Sequence, residues 1–349
     1  MVPEPPFQHV LRMTDERGIF EHADGIVPRY ECGYCLDDVA RALVVVCRQR
    51  PMTPTLEHLA EVYLRFIGCA QTLDGRFHNR LDRHGRWEDV PTTGDWWGRA
   101  LWGLGTAAAR HPEQRIRSAA LARFDLGAVQ RSPYVHSMAF AALGAAEVLT
   151  IYPARRSALG LLSAFVTLVE RVEPTGHWPW PLPRLTYANA AITEALIVAG
   201  SALGDDGVSA HGLGLLSWLL DVETFQGRFS VTPAGGWGPG EPRPAFDQQP
   251  IEVAALADAC RRAFELTGDR RFADGVDRAV GWFLGDNDSG LPLYDATTGG
   301  GRDALTPRGC NTNQGAESTL AMVSTLQHAV DRPLRVRPSV LVSSVPVGS

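Results

Sequence analysis

Five carboxylates stand at or near the starts of what read as buried helices: Asp37, Asp38, Asp95, Asp247 and Glu317. Their type and recurrence suggest glycoside hydrolysis. That reaction needs two carboxyl groups flanking one bond, about 5–5.5 Å apart for retention or roughly 6.5–9.5 Å for inversion. A helix N-terminus favours the anionic form, which suits a base that activates water. A general acid needs the reverse, a carboxyl pushed up by apolar burial or by a like charge. Asp37 and Asp38 are adjacent, so one can raise the other. They point roughly 100° apart around a helix and cannot both face one funnel squarely. Asp38 is the expected acid, with Asp37 orienting it or capping the helix. Asp247 or Asp95 is the expected base, with Glu317 as a further candidate. Glu194 and Glu252 lie further into their helices and are expected to be buried deeper.

Aromatic and amide side chains accompany the carboxylates. Trp96, Trp178, Trp180 and Trp237 fall in loops or at helix starts, where a flat face can stack on a ring-shaped ligand. His136, Asn189, Gln248, Gln249, Asn313 and Gln314 recur at the same end of successive helices, placed to bond sugar hydroxyls. Each also has a plainer use: an Asp before a helix caps it, a Trp packs, and an amide satisfies loop backbone.

Composition narrows the field. The 349 residues carry a net charge of −6, which favours neither nucleic acid nor an anionic membrane. The first residues, Met-Val-Pro-Glu-Pro-Pro, lack the basic and apolar regions of a secretory signal. No apolar run is long enough to span a bilayer. Six scattered cysteines include one Cys-x-x-Cys, Cys32 to Cys35, with no second pair to complete a zinc site. These features predict a cytoplasmic protein with reduced thiols. No cofactor and no metal is expected. The nearest approach to a cation loop is Asp286 and Asp288, which lack the full calcium pattern.

The elements that would position these residues alternate between two kinds. Helices apolar nearly all round follow Asp37–Asp38, Asp95, Ser132, Leu185, Pro250 and Asn311. Amphipathic helices are predicted at Phe7–Met13, Thr55–Ala70, Pro112–Phe124, Ala154–Glu170, Ser209–Leu220 and Arg270–Leu284. A helix apolar on every side needs neighbours on every side. The alternation therefore predicts an all-α, (α/α)6 toroid, with buried helices inside and amphipathic ones outside. Short β-hairpins are expected in the loops at the funnel mouth, one of them between Asp74 and Trp87. The barrel domain is expected over 1–331, with 332–349 as an extended tail.

Several segments carry a resemblance. They are Glu21-His22-Ala23 with Pro28-Arg29, the run Gly33 to Leu43, Gly98 to Trp102, Leu185 to Asn189, Phe246 to Glu252, and Asn311 to Ser318. Together they cover nearly the whole chain. It resembles a bacterial family of six-hairpin glycosidases often associated with glycosyltransferases. The resemblance implies an oligosaccharide or polysaccharide substrate and a glycosyltransferase as partner. It adds His22, Arg29, Tyr34 and Tyr187 to the expected binding residues. The adjacent aspartates also occur in six-hairpin endo-α-mannanases, which the rest of the chain does not match. One rival is a sugar isomerase or epimerase of the same barrel class. It would use paired histidines from His22, His78, His84, His136 and His177. A terpene cyclase would need an Asp-rich magnesium motif, and none follows Asp38. A non-catalytic carbohydrate-binding partner would need no opposed carboxylates.

Overall fold

The computed structural model describes residues 3–170 and 178–330. The expected tail at 332–349 and His177 lie outside the described residues. Twelve helices are found among them: α1 (Gln8–Arg12), α2 (Leu36–Arg48), α3 (Pro54–Ala70), α4 (Asp95–Arg110), α5 (Gln114–Gly127), α6 (Val135–Ile151), α7 (Arg156–Glu170), α8 (Ala190–Leu203), α9 (Asp206–Val222), α10 (Pro250–Thr267), α11 (Arg270–Phe283) and α12 (Ala316–Val330). The even-numbered helices form a closed inner ring, each packing on the next and α12 returning to α2. α3, α5, α7, α9 and α11 each pack outside the inner helix they follow, and α1 packs on α12. This is the expected (α/α)6 toroid.

Side-chain spacing separates the two rings. In α3 Leu56, Leu59, Ala60, Tyr63, Phe66, Ile67 and Ala70 form a buried stripe, widened by Val62 and Leu64. In α6 almost every residue from Val135 to Leu149 is buried. Inner helices also approach closely. A Cβ at Gly98 would overlap the Ser137 carbonyl, and one at Gly144 would overlap that of Leu101. Glycine at these points lets the α4 and α6 backbones meet.

Among the described residues, the side-chain caps that form are on outer helices, although outer α1 and α5 lack one. Thr53, Asp205 and Asp269 accept backbone N–H bonds at the starts of α3, α9 and α11. The N-cap side chains of α2, α4, α6, α8 and α10 make no such bond. The expected aspartate caps are therefore not formed. Asp37 and Asp38 lie inside the first turn of α2 behind Cys35, and Asp95 follows the cap Gly94.

Five two-stranded antiparallel ribbons occupy connections from an outer helix, or the N-terminal segment, to the next inner helix. They thus lie at the end where inner helices begin. Within the stretch expected as a hairpin between Asp74 and Trp87, both turns form and Leu81 pairs antiparallel with Trp87; Arg80–Leu81 also pairs with Tyr34–Cys35, fixing the start of α2. No described helix is long and apolar enough to cross a membrane.

Candidate active site

The inner ring encloses a cavity to which every inner helix contributes. Arg41, Val44 and Val45 come from α2, Arg99 and Trp102 from α4, and Phe140 from α6. Ala191 and Glu194 come from α8, Ile251, Ala254 and Asp258 from α10, and Glu317, Leu320 and Ser324 from α12. Apolar walls carry a few polar groups, the usual make-up of a small-molecule site.

Near the helix starts, two buried arginines organise the acids. Arg41 lies one turn below Asp37 and Asp38. Its Nη1 is 2.5 Å from Asp38 Oδ1, and its Nη2 is 2.7 Å from Glu317 Oε2. One guanidinium fork thus spans two carboxylates, and joins the first inner helix to the last. Asp38 is buried, and desolvation pushes its carboxyl up to about 7. Arg41 opposes that rise, while Glu317, Glu21 and Asp37 add to it. Arg99 lies one turn below Asp95, with its guanidinium carbon 3.9 Å from the centre of the Phe140 ring. Its Nε is 3.1 Å from Asp37 Oδ1. Neither atom completes a hydrogen bond, so the contact balances charge without an aligned N–H. Asp95 accepts from the Ser137 hydroxyl at 2.7 Å and from the Tyr187 hydroxyl. His136 stacks on Tyr187 with ring centres 4.6 Å apart, and its buried Nε2 has no partner among the described residues. Burial lowers the His136 pKa to about 4, so the ring is neutral at pH 7.

The opposite end of the cavity is closed by charge. Arg48 Nη1 is 2.7 Å from Asp258 Oδ1, and His328 bonds the same oxygen. Glu147 is held by Arg110 at 2.7 Å and by Arg262. Arg262 Nε also lies 3.5 Å from Glu194. Burial, reinforced by Asp258, raises the Glu194 carboxyl, whereas Arg48 and His328 hold Asp258 low against its own burial. Glu194 and Glu252 are both buried, as expected of their deeper positions. Glu252 lies between α8 and α10, where it accepts the Ala188 and Asn189 N–H groups.

The remaining candidates are dispersed. Asp247 is exposed on the segment before α10, and its side chain makes no hydrogen bond or ion pair among the described residues. Tyr34 is buried, stacks on Phe20 and donates to Asp15 at 2.6 Å. His22 and Arg29 are exposed beside Glu21 and Glu31 respectively. Trp96 donates to the Phe77 carbonyl. Trp178 and Trp180 pack on Trp218 of α9, and Trp237 packs on Trp178, instead of lining the cavity. Gln248 is spent on Ala245, Asp288 and Trp282, and Gln314 on Thr298 and Asp295. Asn189 bonds Thr186 and Glu252, and Asn313 accepts the Gly25 N–H. Gln249 is the N-cap residue of α10. Asp288 is held by Arg228 as well as Gln248, so its oxygens serve the loop.

Arg41, Arg99, Trp102 and Phe140 line the cavity, yet no catalytic or stacking chemistry singled them out in the sequence. A signal was present: Asp37/Arg41, Asp95/Arg99 and Asp258/Arg262 each repeat Asp-x-x-x-Arg on an inner helix, placing a cation one turn below an acid. Glu21, Cys35 and Asp38 bring donor atoms within 4.8 Å of one another. Arg80 and Arg41 already pair the two carboxylates, and burial keeps the thiol protonated.

Solved structures share this arrangement of helices. A sugar epimerase from a ruminal bacterium superposes with a TM-score of 0.72 at 12% identity, over 93% of this chain and 95% of that one. A D-mannose isomerase gives 0.69 at 10% identity, over 93% and 95%. A GH76 α-mannanase from Bacteroides thetaiotaomicron gives 0.61 at 9% identity, over 92% of each chain. The chain has the six-hairpin (α/α)6 fold. No protein-family model and no curated protein sequence matches it. Barrels of this shape include both glycoside hydrolases and sugar epimerases, so the cavity's own residues must decide between them.

Proposed function

We propose that this barrel hydrolyses a glycosidic bond in an oligosaccharide or polysaccharide, with Asp38 as general acid and Glu317 as the opposing carboxylate. The observation that carries this reading is the Asp38–Arg41–Glu317 bridge. One fork holds both acids, which brings a pair of carboxyl groups together as glycoside hydrolysis requires. Their surroundings differ. Asp38 is buried and raised to about 7, while Glu317 is partly exposed in the first turn of α12. The buried carboxyl is thus suited to carry a proton. Of the two bases expected from the sequence, Asp247 is exposed and tied to none of these groups, and Asp95 accepts from the Ser137 and Tyr187 hydroxyls, so Glu317 takes the role. Asp38 lies behind Arg41 and outside the cavity lining. For Asp38 to protonate a substrate in the cavity, Arg41 must swing aside, a movement that this mechanism requires. The unpaired cysteines support the reducing, cytoplasmic setting expected from the sequence.

The test is sugar release from α- and β-linked manno- and gluco-oligosaccharides. Asp38→Asn should lower the rate by ~10²–10⁴, the usual worth of positioned proton transfer. Activity should fall as pH rises through about 7, because the acid works only while protonated. Glu317→Gln should be comparably severe and partly rescued by azide. If Asp37→Asn is inactive while Asp38→Asn turns over, the acid is Asp37 and Asp38 only anchors Arg41.

A second reading, sugar epimerisation, is favoured by the neutral, unpartnered His136. It ranks lower because the paired histidines are not found among the described residues. His22 and His84 are exposed, and His78 bonds Asp89. Isomerised sugar without chain cleavage would reverse the ranking.

A further inference from the structure

We infer that the cavity grips a negatively charged substituent of its sugar, a carboxylate or a phosphate, with Arg99 as the binding residue. This rests on the carbohydrate reading above and adds a substrate class to it. Arg99 is 3% exposed and lines the cavity. A guanidinium has five N–H donors in a rigid plane, and the buried Nε of this one has no hydrogen-bond partner among the described residues. Buried donors are almost always satisfied. Asp37 balances the charge from 3.1 Å but takes no aligned N–H. The Phe140 ring under the guanidinium fixes its plane and leaves the donor edge for a ligand. A fork of this kind matches the paired oxygens of a carboxylate or phosphate, which accept two parallel bonds.

Asp37, Asp95 and Glu317 favour the charged form of Arg99, and an incoming anion competes with them for the guanidinium; Asp95 already accepts from Ser137 and Tyr187. Arg41 is committed to Asp38 and Glu317, and Asp258 to Arg48 and His328. Glu194, the other cavity acid, is favoured in its neutral form by burial. Of the two cations lining the cavity, Arg41 forks between two carboxylates, whereas Arg99 has only its misaligned contact with Asp37.

The test measures equilibrium binding, so it reads out whether or not the protein hydrolyses anything. Glucose, glucuronate and glucose 6-phosphate are titrated by calorimetry into the wild-type protein and into Arg99→Lys and Arg99→Met. One or both charged sugars should bind the wild type about tenfold or more tighter than glucose, the scale of a charge-assisted bond. Preference for glucuronate assigns the carboxylate, and preference for glucose 6-phosphate assigns the phosphate. Arg99→Met should abolish the preference, and Arg99→Lys should weaken it, because a point charge lacks the fork. Charged sugars no tighter than glucose, or no binding by any of the three, would overturn the inference even if the variants fail to fold. Failure to hydrolyse, with the charged preference intact, would sink the hydrolase reading alone.

Discussion

At the scale of single residues, the site is defined by acids placed where water cannot reach them. Glu252 is the clearest case after Asp38. Burial raises its carboxyl to about 8, the neighbouring Glu223 adds to the rise, and the N–H groups of Ala188 and Asn189 hold it down. A folded-state value above the unfolded one has a definite sign. The native state binds the extra proton, so stability falls as pH climbs from about 4.5 toward 8 and then levels. Glu252→Gln removes this titration. Its stability relative to wild type should improve between pH 5 and pH 8, by up to about 1 kcal/mol per pH unit. Urea unfolding at the two pH values measures the slope; an unchanged slope would show that Glu252 stays ionised. Residue identities were only partly legible in the sequence. The carboxylates were visible because hydrolysis demands them. Which amides are spent on loop backbone, as Gln248 and Gln314 are, depends on contacts across long sequence separations. The same holds for Tyr34, whose hydroxyl meets Asp15.

At the scale of elements, the sequence was far more informative. Helices predicted at Thr55–Ala70 and Arg270–Leu284 are observed at Pro54–Ala70 and Arg270–Phe283, because a single apolar stripe marks an outer helix unambiguously. Ribbon pairing was less legible, since Arg80–Leu81 reaches back to Tyr34–Cys35 across a whole hairpin of helices. Two glycines test the difference between rings. Gly144 faces the Leu101 carbonyl, and backbone cannot yield cheaply, so Gly144→Ala should cost roughly 2–4 kcal/mol or block folding. Gly214 is exposed on outer helix α9 with open space around it. Gly214→Ala should stabilise by roughly 0.5–1 kcal/mol through helix propensity. Thermal unfolding of both variants decides it: equal effects would contradict the close α4–α6 approach.

At the scale of the whole molecule, the buried ions at the end opposite the inner-helix starts tie the ring together. Arg48 of α2 reaches Asp258 of α10, which also holds His328 of α12. Removing one partner strands a charge in the interior. Arg48→Met should therefore cost about 3–5 kcal/mol, and adding Asp258→Leu should recover part of it. A double-mutant cycle by denaturant unfolding measures the coupling; additive losses would show that the pair is not coupled. The circular order of the helices was legible from the alternation of buried and amphipathic segments. These cross-ring ions were not, because nothing local pairs residue 48 with residue 258.

The seam between α12 and α2 also bears on how the chain folds. Every other inner contact joins helices that follow one another closely in the chain, whereas this one spans almost all of it. Chain entropy delays such a contact until the intervening hairpins have assembled. A chain in which five hairpins assemble before α12 would present two bare apolar flanks, and a second such chain could fill the place of the missing α12.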